Sequence, residues 1–167
     1  MTAPDAQTAA MIRPARDDDG PALAALIARS FADYPGCLFI DAEFPELAAP
    51  ASHYAARGGR LFVAERNGAI IGSLAATPTL VPGLAELFKV YVDRAARGSG
   101  LAQRLYAQGE TLARGLGASG IVLWTDTRFV RGHRFYEKLG FVRQPVTRYL
   151  ADASASWEFC YRKTLEA

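Results

Sequence analysis

Glu86-Leu87-Phe88-Lys89-Val90-Tyr91-Val92 runs into Arg97-Gly98-Ser99-Gly100-Leu101-Ala102, and the reading of this junction decides the fold. The first segment alternates well enough for a strand. Leu101, Leu105, Leu112 and Leu116 then stripe one side of a helix. A glycine-rich turn entering a helix offers unpaired backbone N–H groups and the positive end of the helix dipole. Gly98 and Gly100 remove side chains where a phosphate must approach the backbone, and Arg97 adds a charge that reaches a phosphate oxygen. A plain strand-to-helix turn would use the same glycines, so this stretch alone leaves both readings open. Rival phosphate motifs fail: no Gly-Lys pair provides a Walker A loop, and Gln103 stands where a dinucleotide fingerprint needs its third glycine.

A second stretch follows in order, Arg134-Phe135-Tyr136-Glu137-Lys138-Leu139-Gly140-Phe141, which places a phenol on a short helix stopped by Gly140. The two stretches together resemble the acetyl-CoA-binding core of the GNAT superfamily of N-acetyltransferases. The family pattern Gln/Arg-x-x-Gly-x-Gly/Ala is filled by Arg97, Gly100 and Ala102. The resemblance implies that the turn Arg97, Gly98, Ser99, Gly100, Leu101 and Ala102 holds the CoA pyrophosphate. It also implies that Val90, Tyr91 and Val92 pair with the pantetheine arm as another strand would. Tyr136 takes the place of the family's general acid, because a phenol near pKa 10 can protonate a departing CoA thiolate. Its alternative role is that of a core aromatic beside Phe135 and Phe141. Many family members carry an Asn seven residues before the tyrosine; here the residue is Phe129. Arg128, Arg131 and Arg134 are then candidates to reach the phosphates, or are solvated helix charges. His133 reads as a surface residue.

By the same resemblance Glu86 is the base that deprotonates an amine acceptor; the alternatives are a solvated glutamate at a strand end, or a water chain in place of direct deprotonation. Strand parity puts Glu86 on one face with Phe88, Val90 and Val92, provided the strand has no bulge, which the family often has. A lone carboxylate on an apolar face has a raised pKa, suited to a base near neutrality. The loop after the first helix usually walls the acceptor pocket in this family. Here it offers Asp33, Tyr34, Phe39, Asp41, Glu43, Phe44 and Glu46, a set that attracts a cationic amine. Cys37 in that loop could serve as a nucleophile only with a partner such as His53. The function expected is direct acetyl transfer from acetyl-CoA to a small-molecule or peptide amine in a ternary complex, with no metal. The alternative is a non-catalytic acyl-CoA-binding regulatory module of the same fold.

Around these motifs the pattern predicts a short strand at 12–15 and a helix at 20–32, with Asp17-Asp18-Asp19 supplying its N-cap. An irregular loop and a second helix at 50–57 follow. Strands at 61–65 and 69–75 are joined by a tight Asn67-Gly68 turn. Further on come a buried strand at 121–124, a helix at 130–138 and strands at 141–150 and 157–163. The fold class is α/β (α+β): one N-acetyltransferase domain over 11–167, with a mixed, mostly antiparallel sheet of about seven strands and helices on both faces. Residues 1–10 read as a frayed, disordered end.

Composition agrees with a globular chain: half of the 167 residues are apolar and 22% are charged. Charge is uneven. Residues 1–85 hold six basic and nine acidic side chains, and residues 86–167 hold thirteen and eight. Six basic residues fall in 128–148, a patch for a phosphate-bearing cofactor rather than for nucleic acid. Cys37 and Cys160 read as buried thiols without metal-ligand spacing. No signal peptide or membrane-length apolar run is visible, so the expected compartment is the cytoplasm, with no membrane partner. Family dimers make a homodimer an expectation by resemblance.

Overall fold

The computed structural model describes residues 9–167. The expected frayed end lies mostly outside them; of its last residues, Ala10 is anchored, its carbonyl accepting from Arg104 at 2.9 Å. In chain order the elements are β1 (Met11–Pro14), α1 (Gly20–Phe31), α2 (Pro50–Ala56), β2 (Arg60–Arg66), β3 (Ala69–Pro78) and β4 (Leu84–Val92). Then come α3 (Leu101–Gly115), β5 (Gly120–Asp126), α4 (Val130–Lys138), β6 (Val142–Tyr149) and β7 (Trp157–Thr164). Among the described residues the strands form one seven-stranded sheet ordered β1-β2-β3-β4-β5-β7-β6. All neighbours are antiparallel except β4 and β5, which the α3 crossover makes parallel.

Alternation along β2 shows how two cores arise from one strand. Leu61 and Val63 pack with Leu23, Leu26 and Ile27 of α1 and Tyr54 of α2. Phe62 and Ala64 pack with Leu101 and Leu105 of α3 and, through Leu87 and Leu123, with Tyr136 of α4. Helix α3 lies close because Gly109 has no side chain: a Cβ there would stand 2.5 Å from Leu74 Cδ2. The β2–β3 turn places Asn67 at φ 51° and Gly68 at φ 76°, the pair of positive values that a tight two-residue hairpin requires.

The aspartate cap is corrected. Asp17–Asp19 form a 3-10 turn of their own, and no side-chain cap bond reaches α1. Asp19 instead accepts from Arg13 at 2.8 and 2.9 Å and from the Arg16 amide at 2.7 Å. Asp17 accepts from the Ser52 amide and hydroxyl. An arginine in reach outcompetes the helix amides for a buried carboxylate. Of the two free cysteines, Cys160 is buried and Cys37 is only half-buried.

Candidate active site

The site begins where β4 leaves its neighbour. Pairing of β4 with β5 runs from Leu84 opposite Gly120 to Leu87 opposite Leu123. Beyond that point β5 continues along β7 to Asp126 while β4 diverges, leaving the edge of residues 90–92 without a β5 partner. A bulge accompanies the divergence: Ala75 faces Phe88 but Ser73 faces Tyr91, so β4 has one extra residue. The bulge corrects the expected parity. Val90 and Val92 pack toward α3, whereas Phe88 and Tyr91 pack toward α1 and α2. Glu86 therefore shares its face with Phe88 and Tyr91.

After β4 the chain makes a 3-10 turn at Arg94–Ala96, capped by Asp93, before α3. Gly98 and Gly100 take φ of 76° and 82°, and a Cβ on either would meet nothing within 4 Å. The glycines thus answer to backbone conformation and face open space rather than a packed neighbour. That space is a cavity of about 370 Å³ lined by Val90, Tyr91, Val92, Arg97, Gly98, Gly100, Leu101, Ala102 and, from α4, Phe135 and Tyr136. Ser99 is outside the lining; its hydroxyl turns back to the Ala96 carbonyl at 2.5 Å.

A second cavity of about 260 Å³ opens on the other side of the β4 edge. Four residues line both: Val90, Tyr91, Phe129 and Tyr136. Tyr136 is nearly buried, its ring against Phe135, Phe141 and Tyr161 at 5.6–6.1 Å. Desolvation alone pushes its phenol well above the ordinary tyrosine value, so it remains protonated at any working pH. The hydroxyl has no hydrogen-bond partner among the described residues. Phe129, in place of the family's Asn, lies 4.8 Å from Tyr34 and 5.8 Å from Phe31. Its ring lines both cavities at the place where many family members carry an amide.

Glu86 lines the second cavity and is half-buried, with no ion-pair partner among the described residues. Burial raises its carboxyl above the usual carboxylate range, Arg148 and Arg57 pull it back, and Glu158 raises it further. Arg148 is itself engaged: it donates to Glu158 at 2.7 Å and its guanidinium lies 4.3 Å from the Trp124 ring. Sequence reading missed Arg148, Glu158 and Trp124 as cavity walls, since only the β5–β7–β6 register brings them beside Glu86.

The acceptor-loop candidates divide. Glu43 and Phe44 line the second cavity, but Tyr34 lines the first. Asp33 pairs with Arg97 at 2.8 Å and Arg131 at 3.0 Å, at the glycine turn. Phe39 stacks on Phe44 at 5.0 Å, and Glu46 pairs with Lys89. Asp41 is exposed. Among the arginines, Arg131 lines the first cavity, Arg134 is exposed, and Arg128 is committed to Asp126 through two bonds of 2.9 and 2.7 Å. His133 is buried rather than on the surface: Nε2 lies 2.9 Å from the Asp126 carbonyl and the ring stacks on Tyr161. Of the six basic residues of 128–148, Arg128, Arg131 and Arg148 pair with Asp126, Asp33 and Glu158, and the Arg143 guanidinium lies over the Phe159 ring. Burial raises the Cys37 thiol, which keeps it protonated, and His53 packs on Tyr54 outside both cavities. Among the described residues no group of His, Cys, Asp and Glu could hold a metal ion. No helix among them is long and apolar enough to cross a membrane.

A parallel β4–β5 pair that parts after Leu87, a bulge in β4, a glycine turn into a helix and a buried phenol between two cavities define the acetyltransferase class of fold. The sequence model of the Acetyltransferase (GNAT) family matches residues 23–141, and the chain belongs to that family. Among curated proteins it is 32% identical over 148 residues to a mycothiol acetyltransferase of Thermomonospora curvata, covering 87% of this chain and 48% of that protein. To N-acetyltransferase 8 of Mus musculus it is 33% identical over 94 residues, 54% of this chain and 41% of the other. The chain therefore spans about half the length of these relatives, or less. A GNAT-family acetyltransferase from Staphylococcus aureus Mu50 has the same fold, with a TM-score of 0.80 at 20% identity over 95% of this chain and 100% of that one. So does yncA of Salmonella typhimurium, solved with its cofactor acetyl-CoA, with a TM-score of 0.72 at 20% identity over 95% of each chain.

Proposed function

We propose that this protein is an acetyl-CoA-dependent N-acetyltransferase that passes acetyl directly to an amine in a ternary complex. The observation that carries this is the shared wall: two cavities on opposite sides of the β4 edge meet at Val90, Tyr91, Phe129 and Tyr136. A donor in the first and an acceptor in the second would touch at that wall.

Acetyl-CoA suits the first cavity because open space fronts Gly98 and Gly100, whose turn presents amides and the start of α3 to an anion. Arg97 and Arg131 add positive charge, and the unpaired edge of residues 90–92 offers backbone groups to an extended arm. Bound there, acetyl-CoA would supply the activated acetyl thioester. Tyr136 holds a proton at its hydroxyl for the departing sulfur. Glu86 takes a proton at its carboxylate from the incoming ammonium, which must be neutral to attack.

The acceptor reading is a small cationic or amino-acid-like amine. Glu43, Glu86, Asp126, Asp152 and Glu158 line the second cavity against Lys89 and Arg148, and both cations are held by acids of the protein. The excess is negative, which favours a cation. Two free cysteines fit the reducing cytoplasm as the place of work. The test is acetylation of an amine panel spanning cationic, neutral and anionic members. Turnover confined to neutral or anionic members would remove the charge argument.

A further inference from the structure

Strand β4 carries one residue more than its partner can pair. Leu74 stands opposite both Lys89 and Val90, between the pairs Ser73–Tyr91 and Ala75–Phe88. Lys89 takes φ 53°, a left-handed conformation that lysine adopts reluctantly. An inserted residue loses its regular ladder bond, so its carbonyl must find another donor or remain unsatisfied. Here the donor is a side chain: the Ser73 hydroxyl gives its hydrogen to the Lys89 carbonyl at 2.6 Å. Ser73 has no solvent exposure, which leaves its hydroxyl few other partners. At its far end Lys89 is held by Glu46 and lies 5.0 Å from the Phe44 ring.

The bulge sits where the donor edge begins. The last β4–β5 pair is Leu87 with Leu123, two residues before Lys89. Residues 90–92 follow it. A regular ladder in place of the bulge would shift register by one and turn Val90, Tyr91 and Val92 each to the other face. Tyr91 would then leave the wall between the two cavities, and Val90 and Val92 would leave the α3 core.

We propose that Ser73 is a positioning residue, whose hydroxyl holds the Lys89 bulge and so aims the edge of residues 90–92 into the first cavity. This rests on reading that cavity as the acetyl-CoA site. Two substitutions at Lys89 isolate the backbone effect. Lys89→Gly and Lys89→Val both remove the ammonium and its Glu46 pair, but glycine takes positive φ freely and valine resists it.

Acetyl-CoA affinity by calorimetry, with kcat and melting temperature for each variant, reads the difference. Lys89→Gly is expected to bind acetyl-CoA at least fivefold more tightly than Lys89→Val. Ser73→Ala is expected to weaken binding at least fivefold and lower kcat at temperatures where it is folded. Ser73→Thr, which keeps a hydroxyl, should recover most of the loss. Equal affinity of the two Lys89 variants, in a wild type that binds, overturns the proposal alone. A folded Ser73→Ala that binds as wild type does the same. A wild type that does not bind acetyl-CoA overturns the donor reading, and this role with it.

Discussion

Asp33 sets its Oδ2 atom 2.8 Å from Nη2 of Arg97, the residue that opens the glycine turn, and the same oxygen accepts from Arg131 at 3.0 Å. The Arg97 guanidinium beside it holds the Asp33 carboxyl below its ordinary range, so the acid is charged at neutral pH. A pyrophosphate approaching Arg97 and Arg131 must compete with that carboxylate. Asp33→Asn is therefore expected to tighten CoA binding by about fivefold, the equivalent of roughly 1 kcal/mol for partly exposed charges. Calorimetry at low and high salt checks this, the gain shrinking as salt rises. Weaker binding by the variant would mean that Asp33 serves to orient Arg97.

Gly100→Ala separates a phosphate cradle from a plain turn. Positive φ strains alanine by about 1 kcal/mol, a fall of a few degrees in Tm. The added Cβ projects where no protein atom lies within 4 Å, into the space assigned to the donor. Acetyl-CoA affinity should therefore fall at least tenfold while the fold survives. A variant that loses only thermal stability would leave Gly100 a turn residue.

The raised carboxyl of Glu86 has a kinetic signature. A base works deprotonated, so kcat/KM should rise with pH through the Glu86 pKa, which burial holds above the usual carboxylate range. Glu86→Gln should lower kcat by about 100-fold and abolish this acid limb, leaving only the titration of the amine itself. Full activity in the variant would transfer the proton to a water chain.

Stability at low pH depends on Asp19. Arg13 and then the Arg16 amide keep its carboxyl below the ordinary value. A depressed pKa contributes stability that is complete above about pH 3.9 and is lost as pH falls through the folded-state value. Asp19→Asn should cost about 2–3 kcal/mol at neutral pH, since it breaks a largely buried pair with Arg13. For a chain of this size that is a fall of roughly 5–10 °C in Tm. The penalty should shrink in acid melts, and a constant penalty would contradict the assignment.

What could be read in the sequence was local. Asn67-Gly68, Gly100 and Gly140 announce their turns because positive φ selects the residue type. Leu101 and Leu105 of the helical stripe and Ile121 and Leu123 of the apolar run reveal their partners through burial, whereas Leu116 of the expected stripe lies past the end of α3 and is exposed. The element order and the mixed sheet follow from those signals. Lys89 gives no sign that it carries a bulge, since the cause lies across the ladder in the Ser73 hydroxyl. Arg148 and Glu158 reach Glu86 only after β6 and β7 pair, and His133 is buried because β7 supplies Phe159 and Tyr161 as a floor. Asp33 was legible as an acid near the site, but its two arginine partners are 64 and 98 residues away.

The central claim is that chemistry occurs where the two cavities share Tyr136. Thiol release from acetyl-CoA in the presence of a panel of cationic amines, measured for wild type and Tyr136→Phe alongside acetyl-CoA affinity, tests it most directly. The account predicts amine-dependent release by wild type, a kcat lower by about 100-fold in the variant, and donor affinity within a factor of three. Equal turnover by the two proteins, or tight acetyl-CoA binding with no release for any amine, would contradict it.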